Sequence, residues 1–250
     1  MIAVAGMFGL LVGSFLNVCI YRLPLGRSVV FPPSACGSCQ RPLRWFENIP
    51  VVSWLVLGGR CARCKARISP QYPIVELVTG VLFATTVALT PLGPLLAARL
   101  LFGAALIVLF AIDLEHQILP NVITLPGVVV GLAFALVAPP GWRASLIGAA
   151  AGGGVLYAIA AGYYYLRHED GLGMGDVKML AMIGAFLGWQ LMLLTLVLAS
   201  LAGALVGVAL IVFQRGTMKY ALPFGTFLAV GAVVAMLVGQ PMVDWYLGFY

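Results

Sequence analysis

Two aspartates stand at the edges of strongly apolar segments in a chain with only eight acidic residues. Asp113 closes the run LIVLFAI, and Asp176 opens the run VKMLAMIGAFLG. A carboxylate at the border of a hydrocarbon span costs a few kcal/mol. A pair of them near one membrane face is the minimum equipment for activating water against a peptide bond, one as base and one as acid. The plainer alternative is two interfacial aspartates that cap helices and face water.

Asp176 lies in Gly173-Met174-Gly175-Asp176, with Lys178 two residues on. Glycines without Cβ let a substrate backbone approach a carboxylate closely, so Gly173, Gly175 and Lys178 are candidate members of an active-site loop. The helix dipole should treat the aspartates differently. Asp176 opens a helix, where negative charge is favoured, and Asp113 closes one, where it is not. His116 and His168 flank the pair, and with Asp113 and Asp170 they could ligate a metal. No H-E-x-x-H accompanies them, and loop histidines are more often solvated.

Four of the five cysteines form C-x2-C-x21-C-x2-C: Cys36, Cys39, Cys61 and Cys64. Two such knuckles can close a tetrahedral four-sulphur Zn2+ site, which is structural because no coordination position stays open. Redox-active or simply buried cysteines are the alternative. Cys19 lies in an apolar run and reads as a small apolar residue.

These groups need elements to hold them, and the composition says which. The 250-residue chain is 62% hydrophobic and 9% charged, with a mean hydropathy of +1.07. No soluble globular domain is built this way. Apolar runs cover 2–20, 73–90, 95–112, 122–138, 145–165, 177–190, 191–213 and 224–240. The expected fold is an all-α polytopic membrane protein of about eight transmembrane helices, with the last long stretch broken at Gly188-Trp189-Gln190. Residues 1–20 form the first span, 21–72 a polar loop, and 73–250 a seven-helix membrane domain. The first run lacks a positive flank and a small-residue cleavage site, so it reads as a span and not a signal peptide. The small-residue run Gly148 to Gly154 should permit close helix packing.

Loop 21–72 carries eight Lys/Arg against one acid, Glu47, a net of +7. The basic balance therefore belongs to one loop and does not describe a nucleic-acid-binding surface. By the positive-inside rule that loop is cytoplasmic. Alternation then puts twelve of the fourteen basic residues on that side, Arg167, Lys178, Arg215 and Lys219 included. Asp113 and Asp176 fall on the same boundary.

The segments GSFLNVCIYRLP (13–24), the two cysteine knuckles, ENIPVVSWLVLGGRCARCKARIS (47–69), YPIVELVTG (72–80), DLEHQILPNVITLPG (113–127), GLGMGDVKMLAMIGAFLGW (171–189) and PFGTFLA (223–229) together are specific. Through them nearly the whole chain resembles the type IV prepilin leader peptidases, in the bifunctional branch that carries the four-cysteine loop. The resemblance implies a GxGD-type intramembrane aspartyl protease of the bacterial inner membrane, with Asp113 and Asp176 as its catalytic pair. It implies cleavage at the cytoplasmic face of prepilins or secretion pseudopilins, after a basic leader and usually before Phe. It also implies N-methylation of the new terminus with S-adenosylmethionine.

Glu115, Glu169 and Asp170 could attract the basic leader, or could be ordinary solvated acids. No Gly-rich nucleotide-binding turn is present, so the methyl donor should bind between the zinc-ribbon-like loop and the spans. Glu47 and Glu76 are candidate contacts, although each could instead pair with a loop arginine. The rival readings are a peptidase without methylation, a transporter using the aspartates as relays, and a zinc-ribbon docking protein. A transporter should place charge mid-span, and a docking protein leaves the GMGD segment unused.

Overall fold

A computed structural model describes residues 1–168, 173–213 and 222–248. Glu169, Asp170, Arg215 and Lys219 lie outside the described residues. The described chain contains no strand, only helices and two isolated antiparallel bridges. It falls into two compact units, Met1–Leu92 and Gly93–Tyr250.

In the first unit, α1 (Ile2–Arg22) packs along α3 (Gln71–Leu89). Small residues set their separation. A Cβ on Gly9 would lie 2.8 Å from the Cα of Gly80, and one on Gly13 would lie 2.7 Å from the Cα of Glu76. In an apolar solvent such close backbone approach drives association, because lipid gives little hydrophobic gain. Buried hydroxyls are satisfied within α3: Thr79 and Thr86 each donate to the carbonyl four residues back at 2.7 Å. The intervening loop holds a 3-10 turn (Trp45–Asn48) and the short α2 (Val52–Val56).

The second unit contains α4 (Pro94–His116), α5 (Asn121–Phe134), α6 (Trp142–Arg167), α7 (Met174–Phe213) and α8 (Phe224–Leu247). The expected packing role of the small-residue run is realised in part. Gly148 faces Gly184 backbone to backbone, and a Cβ on Gly152 would lie 2.7 Å from the Leu180 carbonyl, whereas Gly154 faces open space. The break expected near residue 188 is also present. α7 runs for 40 residues, and Gly188 alone leaves helical geometry, at φ 76° and ψ 172°. That φ, with Pro140 only 2.9 Å from where a Cβ would stand, restricts the position to glycine.

Among the described residues, six helices are long and apolar enough to cross a membrane: α1, α3, α4, α6, α7 and α8. α5, with 14 residues, is shorter than the span expected over 122–138; it ends at Phe134, ahead of Pro139-Pro140. With α5 and both parts of α7 counted separately, the apolar segments match the expected order. The protein is an all-helical, multi-pass membrane protein.

Candidate active sites

In the second unit Asp113 sits in the last turn of α4 and Asp176 in the first turn of α7. Both are buried, at 4% and 9% exposure. Both lie around Leu119, which packs against Gly225 beside Asp113 Oδ2 and against Gly175, the neighbour of Asp176. α4 ends because Gln117 turns left-handed at φ 53°, its N–H returning to the Asp113 carbonyl at 2.9 Å. The chain then carries Leu119 between two glycines. A Cβ on Gly175 would lie 3.0 Å from Leu119 Cβ, and one on Gly225 would lie 3.0 Å from Leu119 Cδ1. Leu119 thereby joins the start of α7 to the start of α8.

Sequence reasoning missed the part played by α8. The Thr226 N–H donates to Asp113 Oδ2 at 2.8 Å. A Cβ on Gly225 would press on the same oxygen at 2.8 Å. Asp113 therefore lies in the last turn of one helix, as expected, and also caps the start of another, so the α8 N-terminus works against the α4 C-terminus at this carboxyl. The signal available was the segment PFG (223–225), which had no assigned role.

The expected loop members are placed unequally. A Cβ on Gly173 would stand 3.3 Å from Asp176 Oδ2, so its absence leaves open the approach to that carboxylate. Gly175 makes room for Leu119. Lys178 reaches sideways, its Nζ donating to Asn121 Oδ1 at 2.9 Å, which ties α7 to the first residue of α5. His168 packs against the Tyr164 ring. Among the described residues, the group of His, Cys, Asp and Glu close enough to share an ion is the cysteine set and does not include His116 or His168.

That cysteine set is in the first unit. The four Sγ atoms all lie within 4.8 Å of one another, and Cys36 and Cys64 are 3.8 Å apart. A tetrahedron with metal–sulphur bonds of about 2.3 Å has edges of about 3.8 Å, so the geometry fits a metal ion. The two halves are built alike. One antiparallel bridge, Ala35 to Pro42, encloses Cys36 and Cys39; another, Arg60 to Arg67, encloses Cys61 and Cys64. In each, the residue after the second cysteine turns left-handed, Gln40 at φ 54° and Lys65 at φ 59°. Backbone N–H groups then point at sulphur. Those of Cys64 and Arg63 hold the Cys61 thiol down at about 6, and those of Cys39 and Ser38 lower Cys36. Cys64 gains from the Ala66 N–H, but desolvation and the surrounding sulphurs push it up to about 11. Several thiolates gathered so closely call for a cation.

Beside the cluster the first unit holds a cavity of about 420 Å³, lined by Ser14, Asn17, Arg22, Glu47, Trp54 and Glu76 among others. The expected arginine partner is found for Glu47. Arg41 donates to it at 2.6 Å and the Arg44 N–H at 2.8 Å, and both hold its carboxyl below the usual range. Glu76 is different. It accepts the Val51 N–H at 2.7 Å and is 7% exposed.

Family models match both parts of the chain. The bacterial peptidase A24 N-terminal domain matches residues 7–90, and the type IV leader peptidase family matches residues 100–208. The chain is 38% identical to a prepilin leader peptidase/N-methyltransferase of Aeromonas salmonicida (strain A449), over 96% of this chain and 92% of that one. It is 37% identical to a protein of the same name from Pseudomonas aeruginosa, over 97% and 92%. A third, from Burkholderia pseudomallei (strain 1026b), is 38% identical over 96% and 86%. No solved structure matches.

Proposed function

The chain belongs to the type IV leader peptidase family, and from that premise we propose that it cleaves and methylates. It removes the basic leader from prepilins or pseudopilins, then methylates the new N-terminal amine with S-adenosylmethionine. Asp113 and Asp176 are the catalytic pair. The supporting observation is that two buried carboxyls, far apart in sequence, converge where glycines line the approach.

One carboxylate takes a proton from water as the water oxygen bonds to the scissile carbonyl carbon, while the other carboxyl gives a proton to the carbonyl oxygen. Collapse of the tetrahedral intermediate breaks the C–N bond, and a proton passes to the departing amine. That amine is the atom to be methylated, so cleavage precedes methylation. Gly173 leaves open the approach to Asp176, Gly175 makes room for Leu119, and Lys178 ties the start of α7 to α5.

Cys36, Cys39, Cys61 and Cys64 hold a structural Zn2+, which when bound would neutralise the clustered thiolates and fix the loop. The peptidase chemistry belongs to the helices of the second unit and the methyl transfer to the four-cysteine region. The enzyme resides in the bacterial inner membrane with its carboxyl pair at the cytoplasmic face, as the charge of loop 21–72 supports. The test is incubation of the purified protein with a prepilin, with and without S-adenosylmethionine, followed by mass spectrometry. Leader loss without the donor, and a further single methyl group with it, is the expected result.

A further inference from the structure

Glu76 is a buried carboxylate in a region rich in cations, yet it pairs with none of them. Loop 21–72 contains eight Lys/Arg. Glu47 has recruited Arg41, whereas Glu76 has no Lys or Arg within ion-pair reach among the described residues. What it has is one backbone N–H and the Ser14 side chain. A buried carboxylate is expensive unless it is paired. The N–H comes from Val51, a β-branched residue held at φ 62° and ψ −50°, outside the usual regions. Backbone strain of this kind, of order 1–3 kcal/mol, persists where the surroundings enforce it and gathers at functional sites. Glu76 also lines the 420 Å³ cavity. Gly13 brings α1 close to α3 at Glu76, and Asn17 Nδ2 donates to the Tyr72 carbonyl at 3.0 Å, fixing the same crossing. The carboxylate is thus rigidly held, oriented by the Val51 N–H and the Ser14 side chain, and open to a cationic ligand on the cavity side.

Methyl transfer to an amine involves such a ligand. The substrate amine arrives as an ammonium, gives up one proton, and its lone pair forms a bond to the methyl carbon. The carbon–sulphur bond breaks, its electron pair stays on sulphur, and the sulfonium becomes a neutral thioether. Positive charge moves from sulphur to nitrogen. A fixed carboxylate next to the nitrogen takes that proton, becoming a neutral carboxylic acid, and so frees the lone pair for attack on the methyl carbon. Beside the sulfonium it would stabilise the ground state instead.

We propose that Glu76 is a catalytic residue of methyl transfer, facing the acceptor amine in the cavity of the first unit. The proposal rests on the methyltransferase reading above. The test uses the full-length enzyme in lipid nanodiscs, a pre-cleaved pilin peptide and S-adenosylmethionine. Glu76→Gln keeps an acceptor for the Val51 N–H but cannot take a proton. Its kcat for methylation should fall about 100-fold or more, while calorimetric affinity for S-adenosylhomocysteine stays within about threefold. The residual rate should climb with pH as the free amine forms, near the usual α-amino range of about 7.7–8.0. Glu76→Asp should recover part of the loss. Methylation by Glu76→Gln within about threefold of wild type overturns the proposal, as does loss of thioether binding as severe as loss of methylation, or Glu76→Asp no better than Glu76→Gln. A wild-type enzyme that neither binds the thioether nor methylates the peptide overturns the methyltransferase reading itself.

Discussion

The carboxylate of Asp113 caps α8 by accepting the Thr226 N–H, two residues into that helix, at 2.8 Å. Pro223, which precedes α8, offers no side-chain cap. An uncapped helix start inside a membrane leaves donors that water cannot satisfy. One oxygen of Asp113 meets that need, and the bond fixes the orientation of the other.

Capping and chemistry should separate by substitution. Asp113→Asn keeps an oxygen for the Thr226 N–H, whereas Asp113→Ala removes it and should cost about 1 kcal/mol of stability. Both should abolish leader cleavage, as should Asp176→Asn. Thermal denaturation in detergent should show a lower midpoint for Asp113→Ala than for Asp113→Asn. Near wild-type turnover by any of the three would refute the aspartyl mechanism.

Gly225→Ala should damage catalysis without touching the carboxyls directly. Its Cβ would stand 2.8 Å from Asp113 Oδ2 and 3.0 Å from Leu119 Cδ1, so the carboxylate or the helix start must shift. Displacements of about 1 Å cost on the order of 100-fold. The kcat for cleavage should fall by that order with little change in KM, and methylation of a pre-cleaved pilin should persist. Unchanged cleavage kinetics would mean that α8 does not position Asp113.

Lys178 and Asn121 should behave as one unit. Lys178→Met and Asn121→Ala each break the same 2.9 Å hydrogen bond. Each should lower cleavage only a few-fold, in keeping with about 1 kcal/mol, and the double variant should be no worse. Additive losses in the cycle would assign Lys178 a separate contact with substrate.

Freshly purified protein should contain one zinc per chain by elemental analysis. Cys61→Ser should release it and expose loop 21–72 to protease. That variant should still cleave but methylate poorly, whereas the aspartate variants should still methylate a pre-cleaved pilin. Loss of both activities on releasing the metal would show that the loop supports the whole protein. Loss of pre-cleaved methylation in Asp113→Asn and Asp176→Asn would place both chemistries at one site.

The sequence reveals what periodicity and spacing encode. The Gly188 break, the helix order and the cysteine set all follow from local pattern. So does the prominence of Asp113 and Asp176, since charge is conspicuous against apolar runs. Contacts made through backbone atoms are hidden. The Thr226 N–H has no signature in residue type, so its bond to Asp113 could not be read from the letters. Glu47 and Glu76 look equivalent as letters. Only the fold shows that one has an arginine and the other a strained peptide N–H.

The two cysteine knuckles are built alike, with Cys36 matching Cys61, Cys39 matching Cys64, and Gln40 matching Lys65. Each half supplies two sulphurs, and neither can complete a shell alone. The clasp therefore closes like a two-part buckle, and the strap between its parts, bonded to the first half through Arg41 and Glu47, lines the cavity beside it. Loosening either half would thus slacken the wall of the cavity along with the cysteine cluster.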